Sequence, residues 1–333
     1  MLIDKNSILT TLQAEYHVGP RFLKLYLETW FGSSSVSPEK FNTIYENPTF
    51  NLWFFFGISA NSRGKDVAQT LKPYISIHAR KYLDVGCGYG GFLIGFSELD
   101  LDVFGIDLDP QLITYSKANL KDHNLSEDKA QVGNILDPTL ISRIGKFDVI
   151  TCNDVLEHVN NAPRAMTNMV EMLTPNGTML IQVPNKDFID FVLKDGHYNL
   201  FGITLLKHKM AKDYHDFFYT EEYSMGEYYE LDYYINNLSY LKCDTIYLSP
   251  NSSKKNLKQA ALSIIKSAQE LLLFWAQKAK PSLLIKLVIT IKYIQYIAHL
   301  FFHGLLALIS KEKRLSFHKR YLTDFWLVVA TKE

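Results

Sequence analysis

From Lys81 to Val183 short apolar runs and helix-forming segments take turns, and this alternation restricts the chain more than any other feature. Tyr82–Val85, Asp102–Asp107, Ala130–Gly133, Asp148–Cys152 and Thr178–Val183 read as strands. Phe92–Leu99, the segment opened by Asp109 and Pro110, and Pro163–Leu173 read as helices between them. Strands separated by helices need crossover connections, which lead to a parallel sheet with helices on both faces. Asp109 suits an N-cap and Pro110 the first turn that follows. Pro175 and Gly177 stop the helix at 163–173, and Pro184 ends the fifth strand.

Outside this block the pattern differs. Residues 1–80 read as helices with an aromatic loop, FNLWFFFGIS (50–59), too short to span a bilayer and suited to core or lid. Residues 186–224, rich in Tyr, His and Lys, read as a lid or substrate loop. Residues 226–238 suit a helix and Leu241–Leu248 a strand. Two helical stretches, 255–279 and 282–310, follow with a break at Pro281, and a β-prone run at 324–330 closes the chain. The expected fold class is α/β: a Rossmann-like, doubly wound, mostly parallel sheet. It carries an N-terminal helical cap (1–80), a core (81–252) with a lid at 186–224, a basic helical insertion (253–320) and a last core strand (321–333).

Apolar residues form 47% of the chain and charged residues 21%, enough for a packed core and too apolar for wholesale disorder. Lys plus Arg and Asp plus Glu are both 35, so a globally basic nucleic-acid binder is excluded. The balance hides an asymmetry. Residues 254–320 hold thirteen basic residues and two acids, about +11, and the remainder is therefore about −11. Such a block asks for an anionic partner or an internal acidic face. Cys87, Cys152 and Cys243 are too far apart for a disulfide framework or a zinc site and favour a reducing, cytoplasmic location. The first residues carry acids and no long apolar run, so no secretory signal is expected.

The chemistry begins at Leu83-Asp84-Val85-Gly86-Cys87-Gly88-Tyr89-Gly90-Gly91. Closely spaced glycines after a strand let the backbone approach a ligand, and the next helix offers its N-terminal N–H groups. The run satisfies G-x-G-x-G (Gly86, Gly88, Gly90) and also the dinucleotide pattern through Gly86, Gly88 and Gly91. Asp107 lies 21 residues beyond Gly86, at the end of the next strand, where a carboxylate can accept from both hydroxyls of a ribose. Asp84 precedes the first glycine. A carboxylate there suits a ligand that carries an ammonium group and suits a pyrophosphate poorly.

LDVGCGYGG, GIDLD, VGNILD (132–137), FDVITCNDVLEHV (147–159), LTPNGTMLIQVPN (173–185) and FWLVVATKE (325–333) occur in that order. The ordered set resembles the class I S-adenosylmethionine-dependent methyltransferases over roughly 80–185 and 215–250 plus the last strand. The resemblance implies S-adenosylmethionine as cofactor and a methyl transfer, with O-methylation favoured. It implies that Asp84, Gly86, Gly88 and Gly90 hold the methionine part, that Asp107 binds the ribose, and that Leu108 packs on the adenine. Asn134 stands where the family often has Asp on the adenine amino group, keeping an acceptor and losing a charge. Ile135 would flank the ring, and Asn153 and Asp154 would line the methionine end. Glu157 and His158 would lie on the following helix near the transfer site.

A sulfonium methyl is electrophilic by itself, so positioning and a deprotonated nucleophile are the main needs. His158 is the first candidate base, and His215, in HDFFYTEEY, the second. His197, His208 and Tyr198 could meet substrate from the lid. His208, Asp213, His215 and Asp216 cluster in sequence, but this composition is usual for a solvated loop, and no metal is expected.

The insertion departs from the family, which has a short hairpin there. Residues 282–310 are broadly apolar around a polar stripe of Lys292, Gln295, His299 and His303, and 256–279 add another apolar face. Two partners are open: an anionic membrane surface through 254–320, which would suit a lipid-linked rather than a small-molecule acceptor, or the core or a second copy in a homodimer. The expected location is the cytoplasm, with the membrane's inner face in the first case. Two other functions share some features. A nicotinamide-dependent oxidoreductase shares the glycine loop and Asp107, and a non-catalytic cofactor-binding scaffold would use the basic helices alone.

Overall fold

A computed structural model describes residues 5–34, 36–248, 257–276 and 281–333. The strands are β1 (Lys81–Val85), β2 (Asp102–Asp107), β3 (Ala130–Val132), β4 (Phe147–Asn153), β5 (Leu173–Pro184), β6 (Cys243–Leu248) and β7 (Phe325–Lys332). They form one sheet in the order β3-β2-β1-β4-β5-β7-β6, with β1 parallel to both β2 and β4, and β2 parallel to β3. The mostly parallel, doubly wound α/β sheet expected from the alternation is therefore present. The fifth strand starts at Leu173, so Pro175 and Gly177 lie inside it.

The helices are α1 (Lys5–Tyr16), α2 (Pro20–Phe31), α3 (Pro38–Glu46), α4 (Pro48–Ile58), α5 (Ala60–Leu71), α6 (Gly91–Ser97), α7 (Pro110–Asp122), α8 (Leu140–Ile144), α9 (Ala162–Met172), α10 (Ile189–Leu193), α11 (His208–His215), α12 (Leu231–Tyr240), α13 (Leu257–Ala276), α14 (Leu283–Ala307) and α15 (Lys311–Tyr321). By contacts the chain divides into two compact units. The first is Met1–Asn153, Arg164–Leu180 and Val329–Glu333, and the second is Asp154–Pro163 and Ile181–Val328.

In the first unit, β1 lies between two strands, and Tyr82, Leu83, Asp84 and Val85 are all buried because both its faces are covered. Tyr82 stacks on Phe96 of α6 with ring centroids 3.9 Å apart. Asp109 caps α7 by accepting from the Gln111 N–H, as its place before Pro110 predicts. The aromatic segment at 50–59 is a helix, not the expected loop. Phe54 and Ile58 recur at helical spacing and are buried with Phe22, Tyr26, Phe31 and Phe41, so the segment is core.

The cap meets the glycine loop through backbone contact. A Cβ on Gly64 of α5 would lie 2.1 Å from the carbonyl oxygen of Gly91, and one on Gly91 would lie 2.2 Å from Ala60. Beside this seam Asn61 and Asn119, both fully buried, exchange amide hydrogen bonds of 3.1 and 2.6 Å. Asn61 also donates to the His17 carbonyl and Asn119 to the Tyr89 carbonyl. Each amide hydrogen that burial would orphan thus has an acceptor.

The second unit has its own core. Residues 186–224, expected as a lid, are packed instead. Ile189, Val192, Phe201, Ile203, Tyr214 and His215 are buried, and all but His215 join a cluster with Ile285, Ile289, Tyr293, Tyr296 and Leu300 of α14. Apolar residues from the two stretches complete one another, so the insertion is half of this core rather than a separate body. Tyr296 donates to the Asp187 carbonyl, and Asn185 donates to the carbonyls of Arg320 and Thr323. The two expected insertion helices are α13 and α14, and α15 adds a third. Lys254, Lys255, Lys278 and Lys280 lie outside the described residues.

Replacing Gly64 by Ala is expected to cost about 3 kcal/mol, because the intruding methyl meets backbone that cannot rotate away. The midpoint of denaturant unfolding should fall accordingly, whereas Gly196→Ala, which meets nothing closer than 4.0 Å, should leave it near the wild-type value. Equal midpoints for the two variants would remove the backbone seam as a source of stability.

Candidate active site

The register of the first unit sets Val85 beside Ile106 and Cys152, and Asp107 beside Val132. The loops after β1, β2, β3 and β4 therefore leave the sheet at one carboxyl edge, where ligands of open α/β sheets bind. Gly86, Gly88 and Gly90 all have positive φ, at 75, 48 and 78°. A Cβ on Gly88 would find nothing closer than 3.9 Å, so its glycine serves backbone shape and open approach. A Cβ on Gly90 would crowd Ser116 at 2.9 Å, and Ser116 in turn donates to the Gly88 carbonyl at 2.8 Å.

Asp107 is held by this loop. Its Oδ2 accepts from the Gly88 N–H and its Oδ1 from the Asp109 N–H, each at 2.9 Å. Partial burial raises its pKa despite these bonds. A carboxylate has about four acceptor sites, more than these bonds fill. Leu108 beside it is 66% exposed, a large apolar surface at a polar edge. Asn134 is exposed and its Oδ1 accepts from the Leu136 N–H, whereas Ile135 is buried and its carbonyl accepts from Asn168.

Two polar side chains in this unit have atoms removed from solvent. Asp84 is almost fully buried and accepts from the Thr151 hydroxyl at 2.7 Å, and desolvation pushes its pKa up to about 7. Asn153, at the end of β4, has both side-chain Nδ2 and Oδ1 buried without a hydrogen-bond partner. An orphaned amide is costly unless something outside the chain completes it.

The second unit starts with Asp154, whose φ is +56°. Its backbone N–H donates to the Gln182 carbonyl, and the Gln182 amide donates back to its carboxylate. Both bonds, at 3.1 Å, fasten the turn that follows. Glu157 and His158 stand on this turn and not on a helix, since α9 begins only at Ala162. The bonds here run from His158 N–H to Val155 and from Gly226 N–H to Glu157, which draws the backbone away from helical pairing.

The turn gathers three side chains. His158 Nδ1 lies 3.1 Å from the Ser224 carbonyl. A carbonyl only accepts, so Nδ1 carries the proton and Nε2 presents a lone pair. Solvent reaches the residue, yet the protein crowded around its ring holds the pKa below the usual histidine value, and the imidazole is neutral at pH 7. The ring of His197 meets that of His158 edge to face at 5.0 Å. Burial, with His158 beside it, pushes the His197 pKa down to about 3. Glu157 is buried, its Oε2 has no partner, and desolvation and the Asp154 charge both raise its pKa. One ligand atom from each of Glu157, His158 and His197 lies within 4.8 Å of the others, a donor set of a kind that holds a divalent cation.

His215 is placed differently. Its ring is fully buried among Tyr198, Tyr219 and Tyr223, with Nδ1 3.0 Å from Asp216 Oδ1. It belongs to the interior of the second unit, and the sequence cluster His208, Asp213, His215 and Asp216 is spread along and just beyond α11. His197 is the residue whose place sequence reasoning missed: the lid reading gave it a substrate contact but no link to His158. No sequence signal joins the two, since their meeting depends on how 186–224 folds back.

A family model described as a methyltransferase domain matches residues 60–232. Similar curated proteins include a ubiquinone biosynthesis O-methyltransferase of Methylococcus capsulatus, 26% identical over 149 residues, which are 45% of this chain and 60% of that protein. Another, from Psychrobacter cryohalolentis, is 26% identical over 168 residues, 50% of this chain and 63% of that one. The chain thus spans less than two thirds of these relatives' length. Among solved structures, a SAM-dependent methyltransferase from Archaeoglobus fulgidus shares the fold at 13% identity, with a TM-score of 0.50 over 85% of this chain and 99% of that one. Because the family model covers more than half of the chain, and with it the whole glycine-loop edge, the chain belongs to the methyltransferase-domain family.

Proposed function

We propose that the protein is an S-adenosylmethionine-dependent methyltransferase that O-methylates a small or lipid-linked acceptor in the cytoplasm. The observation that carries this reading is the orphaned Asn153 amide on the edge that also bears the glycine loop. An amide offers one acceptor and two donors, which suits a ligand end with both an ammonium and a carboxylate. Asp84 supplies a matching negative charge, and Asp107 supplies acceptors for a ribose. Leu108 offers an apolar surface for the adenine, and Asn134 an acceptor for its amino group. The two ubiquinone biosynthesis relatives support an oxygen as the methylated atom. When bound, the cofactor supplies an electrophilic methyl group. His158 takes the proton of the acceptor hydroxyl at Nε2, and Ser224 holds the ring in the tautomer this needs.

A second reading of His158 has its own observation, the unpartnered Oε2 of Glu157. With His197 the pair would hold a divalent cation, and the cation would lower the pKa of an acceptor hydroxyl. Titration calorimetry with zinc and magnesium ions, for wild type and His197→Ala, separates the readings. Heat of binding that the variant loses supports the cation, and none with either ion leaves His158 as a plain base. Of the partners open to the basic insertion, we favour a membrane surface over a second copy of the chain.

Two further outcomes follow from the charges. Asp84 must be ionised to pair with an ammonium, and its free pKa is about 7. The affinity for S-adenosylmethionine should therefore fall as pH drops through 7, by up to about tenfold per pH unit. Calorimetry between pH 5.5 and 8 reads this directly, and a flat profile would remove Asp84 from the ammonium. Asp107→Ala should weaken the same binding by about 2–4 kcal/mol, the worth of two hydrogen bonds to a carboxylate. For the base, His158→Ala should lower turnover about 10²–10⁴-fold with cofactor affinity little changed. In wild type, the acid limb of kcat should lie below the ordinary histidine pKa, because that of His158 is depressed. Near-normal turnover in the variant would leave positioning as the whole of catalysis.

A further inference from the structure

Helix α14 has two apolar faces. At about 100° per residue, Ile285, Ile289, Tyr293, Tyr296 and Leu300 share one face and are buried in the second unit's core. Leu284, Leu287, Ile291, Ile294, Phe301 and Leu305 share the opposite side and are exposed. Exposure is 68% at Leu284 and 65% at Leu305, so this stripe faces solvent at both ends of the helix. Lys292, Gln295 and His299 form an exposed flank between the two faces. On α13, Leu262, Ile265 and Leu272 make a second exposed apolar row. The Trp275 indole N–H donates to the Thr290 hydroxyl, and Ser267 bonds Tyr293, so the two helices are fastened together.

Charge identifies what covers the stripe. Lys266, Lys292, Lys311, Lys313 and Arg314 are exposed on these helices and on α15. Of the two acids in 254–320, Glu270 faces Lys194 at 3.9 Å. Lys286 is not part of the display: it is buried and donates to the Trp275 carbonyl near the C-terminal end of α13. We propose that the exposed face of α14, with the row on α13, lies in the interface of an anionic membrane, its apolar stripe among the acyl chains and its basic flank at the headgroups. Helix α14 is long and apolar enough to cross a bilayer by length and composition. Its other face, however, is committed to the second unit's core, and crossing would break the Tyr296 bond to Asp187 and unseat that face. A helix so anchored lies along the surface. A second copy of the chain would bring two basic flanks together, whereas an anionic leaflet is complementary to them. The inference needs no step of the methyl transfer, and it gives a lipid-linked acceptor a route to the enzyme.

The test is flotation of the full chain with vesicles of phosphatidylcholine alone and of phosphatidylcholine with an equal part of phosphatidylglycerol. Wild type should float with the anionic vesicles, less so at high salt, and remain behind with the neutral ones. One variant carries Leu287→Gln, Ile291→Gln, Ile294→Gln and Leu305→Gln. The other carries Lys292→Glu, Lys311→Glu, Lys313→Glu and Arg314→Glu. All eight side chains are exposed, so both variants should keep the wild-type fold by circular dichroism. Each basic side chain near an anionic leaflet contributes about fivefold in partitioning, so the charge variant should lose at least about 100-fold. The apolar variant should no longer float. Wild type that floats with neither vesicle overturns the proposal, as does equal, salt-insensitive flotation with both. A wild-type dimer in analytical ultracentrifugation that the glutamine variant converts to monomer, with no flotation, assigns the face to a second copy. Vesicle binding is read without cofactor, and cofactor calorimetry is read without vesicles, so either reading can fail alone.

Discussion

Ala60, Gly64 and Gly91 let two helices meet backbone to backbone, and the rest of the first unit is arranged around that contact. No side chain separates α5 from α6 at the crossing. The helix that leaves the glycine loop is therefore fixed by main-chain contact, which cannot change rotamer. The buried amide pair Asn61–Asn119 then ties the cap to Tyr89 of the loop, and Ser116 ties α7 to Gly88. The loop is positioned by its neighbours before any ligand arrives, which is the preorganisation a binding site needs.

Polar groups in each unit work against folding. Asp84 and Glu157 are carboxyl groups in places where desolvation favours the neutral form. Asn153 is left with no hydrogen bond from its side chain. Groups of this kind persist where the surrounding core is strong enough to hold them and where a ligand uses them. The first unit supplies that core through β1, β2 and β4, and the second through the aromatic interior around Tyr198, Tyr214 and Tyr223. The two histidines have pKa values below the ordinary one, which keeps their imidazoles neutral near pH 7.

The insertion shows how one helix can serve two environments. With apolar residues nearly all round, α14 lacks the polar half that a surface helix of a soluble domain presents. Half of its surface completes a core that 186–224 could not close alone. The other half is exposed, flanked on the same helix by Lys292, Gln295 and His299. The acidic remainder of the chain accounts for the zero net charge, so the overall balance gives no hint of this segregation.

Much was legible before any coordinates. The alternation of strands and helices, the glycine loop, Asp107 and the cap at Asp109 are local patterns, each set by residues within a turn or a strand of one another, and each stands where the sequence placed it. The helical nature of α13 and α14 was legible for the same reason, as was the polar stripe at Lys292, Gln295 and His299, whereas its fourth expected member, His303, is half-buried and bonds the Tyr321 hydroxyl. What tertiary structure alone decided were matters of burial and of long-range return. Residues 186–224 look like a loop because Tyr, His and Lys are polar at their tips, yet their rings and stems fill a core once α14 covers them. His215 looked available and is enclosed. The family resemblance put Glu157 and His158 on a helix, but bonds to Val155 and Gly226 turn the chain there. His197 reaches His158 only because a segment about forty residues later folds back, and a sequence records which residues it has, not which distant ones will share a surface.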